Sequence, residues 1–237
     1  MREIGLIGGM SFEGSAIYYR KINEAVRRRL GGLHSARIIM HPVDFQEIVD
    51  VQKAGLWDDA GCCLAGVARG LQGAGADCVM MCAVTMHLVA PAVEAALGVP
   101  FIHVVDVTAA RLTTAGCRKP LLLATRHTME DGFYPARMKR HGVEAVVPDA
   151  EGRTLTHGII FDELCAGRVL DRSREAPIGL IEKAKTESAD GVIFGRTELC
   201  MILDTDDPPV PGFDGTDIHA AAAVEFAIGD LARGRAA

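Results

Sequence analysis

The chain has 237 residues, 49% of them hydrophobic, and a net charge of -6. That length and apolar content suffice for one large buried core or two small ones. The acidic balance excludes a nucleic-acid partner, which calls for a basic face, and apolar runs such as Val79 to Cys82 fall far short of the roughly 20 residues a membrane span needs.

The start, "MREIGLIGG", enters a strand pattern at once and shows no export leader, so the expected location is cytoplasmic. Short apolar runs then alternate with longer helical patterns. Strands are predicted at "IGLIGG", "ARIIMHPV", "DCVMMC", "PFIHVV", "PLLLAT", "VEAVVP" and "DGVIFG". Helices are predicted at Glu13 to Leu30, Gly61 to Gly73, Met86 to Leu97, Phe133 to His141, Arg174 to Ser188 and Ile218 to Leu231. The first helix ends on Arg27-Arg28-Arg29, where cations suit the helix dipole. This alternation predicts an α/β fold with parallel strands and crossover helices.

The same order of segments occurs twice. "IGLIGGMS" has a counterpart in "LLLATRHTM", "GADCVMMCAVTMH" in "SADGVIFGRTELC", and "VPFIHVVDVTAAR" in "PVPGFDGTDIHAAA". Ala83 lies six residues after Asp77, and Arg196 lies six after Asp190. Two pseudo-symmetric halves are therefore expected, residues 1–117 and 118–237, each a short, mostly parallel sheet flanked by helices, with the C-terminal helix packing back on the first half. Ligands of open parallel sheets sit beyond the carboxyl ends of the strands. An active-site cleft between the halves, with Ala83 and Arg196 at equivalent positions, is the corresponding expectation.

Seven cysteines make an odd set without the paired spacing of a zinc site. Neither a disulfide framework nor a metal centre is predicted, and each thiol reads first as a small apolar core residue.

The segments "IGLIGGMSFEGSAIYYRKINEAVRRRLGGLHSARI", "VDFQEI", "TRHTMEDGFY" and "GVIFGRTEL" together resemble the aspartate/glutamate racemase family, over essentially the whole chain. The resemblance implies two α/β halves and no pyridoxal or other cofactor. It also implies a pair of cysteines, one removing the α proton of an amino acid and the other delivering one. An α proton is so weakly acidic that both faces of the substrate need positioned groups.

The family's first cysteine opens Cys-Asn-Thr-x-His and its second lies in Gly-Cys-Thr-Glu. In this chain Thr85 and His87 match the first motif, while Ala83 stands for the cysteine and Val84 for the Asn. Gly195, Thr197 and Glu198 match the second, and Arg196 replaces its cysteine. Alanine transfers no proton, and arginine stays protonated at neutral pH. The two-thiol route is excluded at these positions.

The neighbouring thiols read as structural: Cys82 should point to the opposite face of its strand, and Cys200 should lie deeper than Arg196. The resemblance assigns substrate contact to Met10 and Ser11, against a plain tight turn. It does the same for Gln52 and Lys53, against a solvated face, and for Thr85, Thr125 and Thr197, against helix caps. His87 and His219 read equally as packed residues, and Glu198 is one candidate partner for Arg196.

Three readings follow. The first is a cofactor-independent isomerase or lyase acting on a small amino acid or dicarboxylate, with Arg196 binding an anionic group and Thr85 or His87 handling protons. The second is a catalytically inactive binding protein that keeps the pocket, and the third a racemase with displaced catalytic groups. A small anionic substrate and a homodimer are the expected partners.

Overall fold

The computed structural model describes residues 1–235, with side chains to Gly229. It divides into two units, Met1–His103 with the chain from His219 onward, and Val104–Ile218.

In the first unit, strands β1 (Ile4–Gly8), β2 (Ile38–Pro42), β3 (Cys78–Met81) and β4 (Phe101–Ile102) are all parallel, in the order β2-β1-β3-β4. Helices α1 (Phe12–Leu30), α2 (Phe45–Lys53), α3 (Trp57–Gly73) and α4 (Ala90–Ala95) connect them, with a 3-10 turn at Thr85–Val89. Both β1 and β3 are buried throughout, which is why they read as unbroken apolar runs rather than alternating ones.

The pleat sends alternate residues to opposite faces. Ile7, Val79, Met81 and Ala83 join one cluster with Leu64 and Val93, while Ile4, Leu6, Met80 and Cys82 join another with Tyr18 and Ile22. Cys82 therefore belongs to the face opposite Ala83. Burying either side chain set contributes about 1.5–3 kcal/mol per large residue.

In the second unit, helix α5 (Val104–Thr114) precedes β5 (Pro120–Leu123). There follow α6 (Arg126–Glu130), α7 (Phe133–Arg140), α8 (Ala150–Gly158), α9 (Asp171–Thr186), β6 (Gly191–Phe194) and β7 (Gly212–Asp214). The sheet is again parallel, in the order β5-β6-β7. Leu121, Leu123, Val192 and Phe194 pack with Ile160, Leu164 and Ile181 on one of its faces. Helix α10 (Gly215–Arg235) begins directly after β7. From Ala220 to Ile228 its residues share a core cluster with Ile4, Leu6 and Tyr18 of the first unit's sheet and first helix.

The internal repeat has a structural basis in the two aspartates that align it. Asp77 donates its N–H to Glu3 O at 2.8 Å, and its carboxylate accepts from Glu3 N at 2.7 Å. Asp190 donates to Lys119 O at 3.1 Å and accepts from Arg118 N and Lys119 N at 2.7 and 2.8 Å. Asp77 ties the start of β3 to that of β1, and Asp190 ties the start of β6 to that of β5, and so each sets the register that carries residues 83 and 196 past their strand ends.

Several elements differ from the sequence expectations. "VEAVVP" forms no strand; Val146 makes only an isolated parallel bridge to Leu121. The pairing stops within two residues at Pro148, which has no N–H to give. "PFIHVV" is a strand only at Phe101–Ile102, and its valines open α5 instead; β-branched residues lose their strand preference when helix packing buries them. Accordingly α5 falls in the second unit, whereas the boundary read at 117/118 grouped it with the first. Helices α2, α6 and α8 are not among the expected ones.

Candidate functional site

The first strand end begins with the loop between β1 and α1. Gly9 adopts φ +91°, and a Cβ there would lie 2.1 Å from Val43 O, so only glycine fits. Ser11 caps α1 by accepting from Gly14 N at 3.1 Å. Ser15 Oγ donates to Ser11 O and accepts from Gly9 N, both at 2.8 Å. Met10 and Ser11 are buried, and the Gly9 N–H of the loop and the Gly14 N–H of the first turn of α1 are spent on these internal bonds.

Beyond β3, Ala83, Val84 and Thr85 are all buried, and Cys82 N donates to Ile7 O at 2.9 Å, extending the ladder by one residue. His87 turns back on this strand end. Its Nδ1 lies 3.0 Å from Ala83 O, and since a carbonyl only accepts, that nitrogen carries the ring proton. The ring packs 4.6 Å from His103 and 5.8 Å from His219, centroid to centroid. Burial, reinforced by the two neighbouring imidazoles, holds the His87 pKa well below the ordinary histidine value.

His219 is fixed at both nitrogens: Nε2 donates to Ile102 O at 2.7 Å, so Nδ1 accepts from the Tyr18 hydroxyl at 3.0 Å. Burial pushes its pKa down to about 4. The sequence left His219 beside Asp214 and Thr216, and gave no sign of His103. Three histidines from the turn after β3, the end of β4 and α10 thus form one buried cluster.

Gln52 and Lys53 separate. Gln52 is half-buried and donates to the Met86 sulfur at 2.8 Å, whereas Lys53 is exposed.

The second strand end is polar. A Cβ on Gly195 would lie 2.8 Å from Leu122 Cδ1 and 3.0 Å from Ala124 Cβ, so glycine lets the chain pass close to β5. Gly195 N donates to Leu123 O at 2.8 Å, and Arg196 continues extended, at φ -155° and ψ 139°. The 3-10 turn Thr197–Met201 then swings Glu198 back. Arg196 Nε reaches Glu198 Oε2 at 2.7 Å, Arg196 Nη2 reaches Oε1 at 3.4 Å, and the Thr197 hydroxyl donates to Oε2 at 2.7 Å. Arg196 is 5% exposed and Glu198 1%.

Burial alone would raise the Glu198 pKa, but the Arg196 charge and the Thr197 and Arg196 hydrogen bonds outweigh it and hold it low. The Arg196 pKa is raised despite burial, because Glu198 stands beside it. The pair is ionised and self-neutralising. Arg196 Nη1 has no partner among the described residues and is not sealed from solvent.

Two further residues complete this end. Cys165, on the 3-10 turn Leu164–Ala166, places its sulfur 3.5 Å from Glu198 Oε1 and 3.8 Å from Arg196 Nη2. Burial and the Glu198 charge raise its pKa to about 11, so it is a thiol at neutral pH. Thr125 precedes α6, with its hydroxyl 3.2 Å from that of Thr128. Cys200 is only half-buried at the edge of the second core, not in its depth, because the turn after Arg196 is 3-10 rather than α. The sequence reading missed Cys165: nothing in the spacing joins residues 165 and 196.

No group of three or more His, Cys, Asp or Glu residues among the described residues is arranged to hold a metal. No described helix is long and apolar enough to cross a membrane.

Comparison with known proteins identifies relatives of the same fold. A candidate Asp/Glu racemase from Yersinia pestis is 44% identical, with a TM-score of 0.91 over 96% of this chain and 100% of that one. An aspartate racemase homologue from Pyrococcus horikoshii OT3 is 32% identical, with a TM-score of 0.85 over 96% of this chain and 99% of that one. The aspartate racemase of Picrophilus torridus, at 21% identity and a TM-score of 0.73 over 96% of this chain and 94% of that one, shares the fold. The family model for Asp/Glu/Hydantoin racemase matches residues 7–223, and the chain belongs to that family.

Proposed function

We propose that this protein binds a small anionic molecule, an acidic amino acid or a dicarboxylate, and acts on it by isomerase- or lyase-type chemistry other than two-thiol proton exchange. The observation that carries this reading is the buried Arg196–Glu198 pair where the family resemblance calls for a thiol. The pair's charge is internally balanced, yet Arg196 Nη1 keeps a free donor edge, suited to one oxygen of a carboxylate or phosphate.

Proton handling falls to His87. Its Nδ1 proton is committed to Ala83 O, and its lowered pKa keeps the ring neutral, the form that accepts a proton, at neutral pH. No cofactor enters the proposal. A homodimer is part of it, and light scattering at micromolar concentration is its check.

A second reading, binding without turnover, is favoured by the state of the thiols. Burial drives the Cys82 pKa far upward, and Cys165 is held as a thiol; neither is a base at neutral pH. Incubation of the protein with L- and D-aspartate, L- and D-glutamate and related diacids in deuterated water, followed by proton NMR, separates the readings. Loss of carboxylate or rearrangement supports the first, and binding without change supports the second. Deuterium at the α carbon overturns both in favour of racemisation by displaced groups.

A further inference from the structure

We infer that His157 is a ligand-contacting residue of the second strand end, and that its Nε2–H and Arg196 Nη1 grip one anionic group, a carboxylate or a phosphate. The inference rests on the proposed anion site at Arg196 and adds to it a residue that neither the motifs nor the repeat single out.

The geometry fixes the state of the ring first. Arg126 donates its backbone N–H to His157 Nδ1 at 3.3 Å. That nitrogen must therefore carry a lone pair, and in the neutral imidazole the proton sits on Nε2. On the other side the ring packs against Phe161, 5.4 Å between centroids and tilted by 30°. His157 is thus clamped between the start of α6 and the next turn of its own segment. It is half-buried, and its Nε2–H has no partner among the described residues.

The placement brings that donor to the second strand end. Helix α8 packs on α6, and the turn Leu164–Ala166, which continues the same segment, packs on the turn Thr197–Met201. Cys165 lies against the Arg196–Glu198 pair from that segment. His157 is thus tied to the backbone just beyond β5, and Gly195 N donates to Leu123 O at 2.8 Å, so the chain carrying Arg196 leaves the sheet next to that same strand end.

The electrostatics agree. Burial, then the Arg126 charge, and further the charges of His127 and Arg196, lower the His157 pKa, while Asp162 opposes them. Two guanidinium groups bear on this ring, Arg126 at the start of α6 and Arg196 just beyond β6. An anion set between His157 and Arg196 accepts two hydrogen bonds, one of them charge-assisted.

The test uses succinate and inorganic phosphate as probes, titrated by calorimetry into the full chain and into His157→Phe, His157→Gln and Arg196→Met, each with its thermal midpoint recorded. Phenylalanine keeps the stack on Phe161 and removes the donor, and glutamine restores an N–H near the Nε2 position. The expected result is a loss of about 10-fold or ~1.4 kcal/mol in affinity for at least one probe in His157→Phe, with most of it recovered in His157→Gln. The His157 Cε1–H resonance should also shift on saturation. If Arg196→Met weakens binding while both His157 variants bind like the parent and the resonance stays in place, His157 is not a contact, and the anion reading of Arg196 stands. If neither probe binds the parent, both readings fall. If His157→Phe fails to fold, the glutamine variant and the resonance decide.

Discussion

Arg196 Nε and Glu198 Oε2 meet at 2.7 Å with both side chains buried, although only Thr197 separates the two residues in the chain. An extended arginine followed by a 3-10 turn makes this possible, since the turn reverses the side-chain direction within two residues. Removing one member leaves an uncompensated buried charge.

Glu198→Gln should therefore destabilise the protein by about 3–5 kcal/mol in urea unfolding, as should Arg196→Met. The double variant should cost clearly less than the sum of the two, because it buries no lone charge. Additive losses in the cycle would mean that the pair is not energetically coupled.

Reinstalling thiols tests how much of the family chemistry the surroundings still support. With Ala83→Cys and Arg196→Cys, and Val84→Asn to restore a side-chain donor, solvent deuterium should enter the α position of aspartate or glutamate, an exchange absent from the parent. A folded triple variant that leaves every acidic amino acid unexchanged would show that the pocket has diverged from those substrates.

Thiol accessibility gives a simpler measurement. Cys62 and Cys63 are exposed on α3, whereas Cys78, Cys82 and Cys117 are buried. Burial raises the Cys78 and Cys117 pKa values to about 12. Native protein should show two fast thiols with a small aromatic disulfide reagent, and blocking them should leave anion affinity within about two-fold, ~0.4 kcal/mol. Ligand protection of a fast thiol would point instead to a cysteine at the site.

The histidine cluster predicts acid sensitivity. Both His87 and His219 have folded-state pKa values below the ordinary 6.5, that of His219 about 4. The unfolded chain therefore binds more protons than the folded one between those values. The stability they contribute is fully present above pH ~6.5 and is lost as pH falls toward about 4, on the order of 3 kcal/mol for His219 alone. His219→Gln should flatten this part of the urea-midpoint profile. An unchanged slope from pH 7 to 5 in that variant would assign the sensitivity elsewhere.

The sequence by itself determined the class of fold. Buried parallel strands must be apolar on both faces, so β1, β3, β5 and β6 were legible as runs, and the aspartates at 77 and 190 aligned the two halves because each pins its strand to a paired neighbour in the same sheet. The motifs marked Ala83 and Arg196 as the substituted positions. What the tertiary structure alone decided is what surrounds them. The bond between Arg196 and Glu198 depends on a change from extended chain to 3-10 turn, which side-chain periodicity does not encode. Cys165 and His157 reach their neighbours through packing of segments about 30 residues apart in sequence, as the separations of 31 for Arg196 and Cys165 and 31 for Arg126 and His157 record. His103 and His219 meet His87 only because strand β4 and helix α10 pack beside the turn that follows β3. Local pattern reports which face of an element is apolar; it carries no information about which distant polar groups that packing brings within a few ångströms.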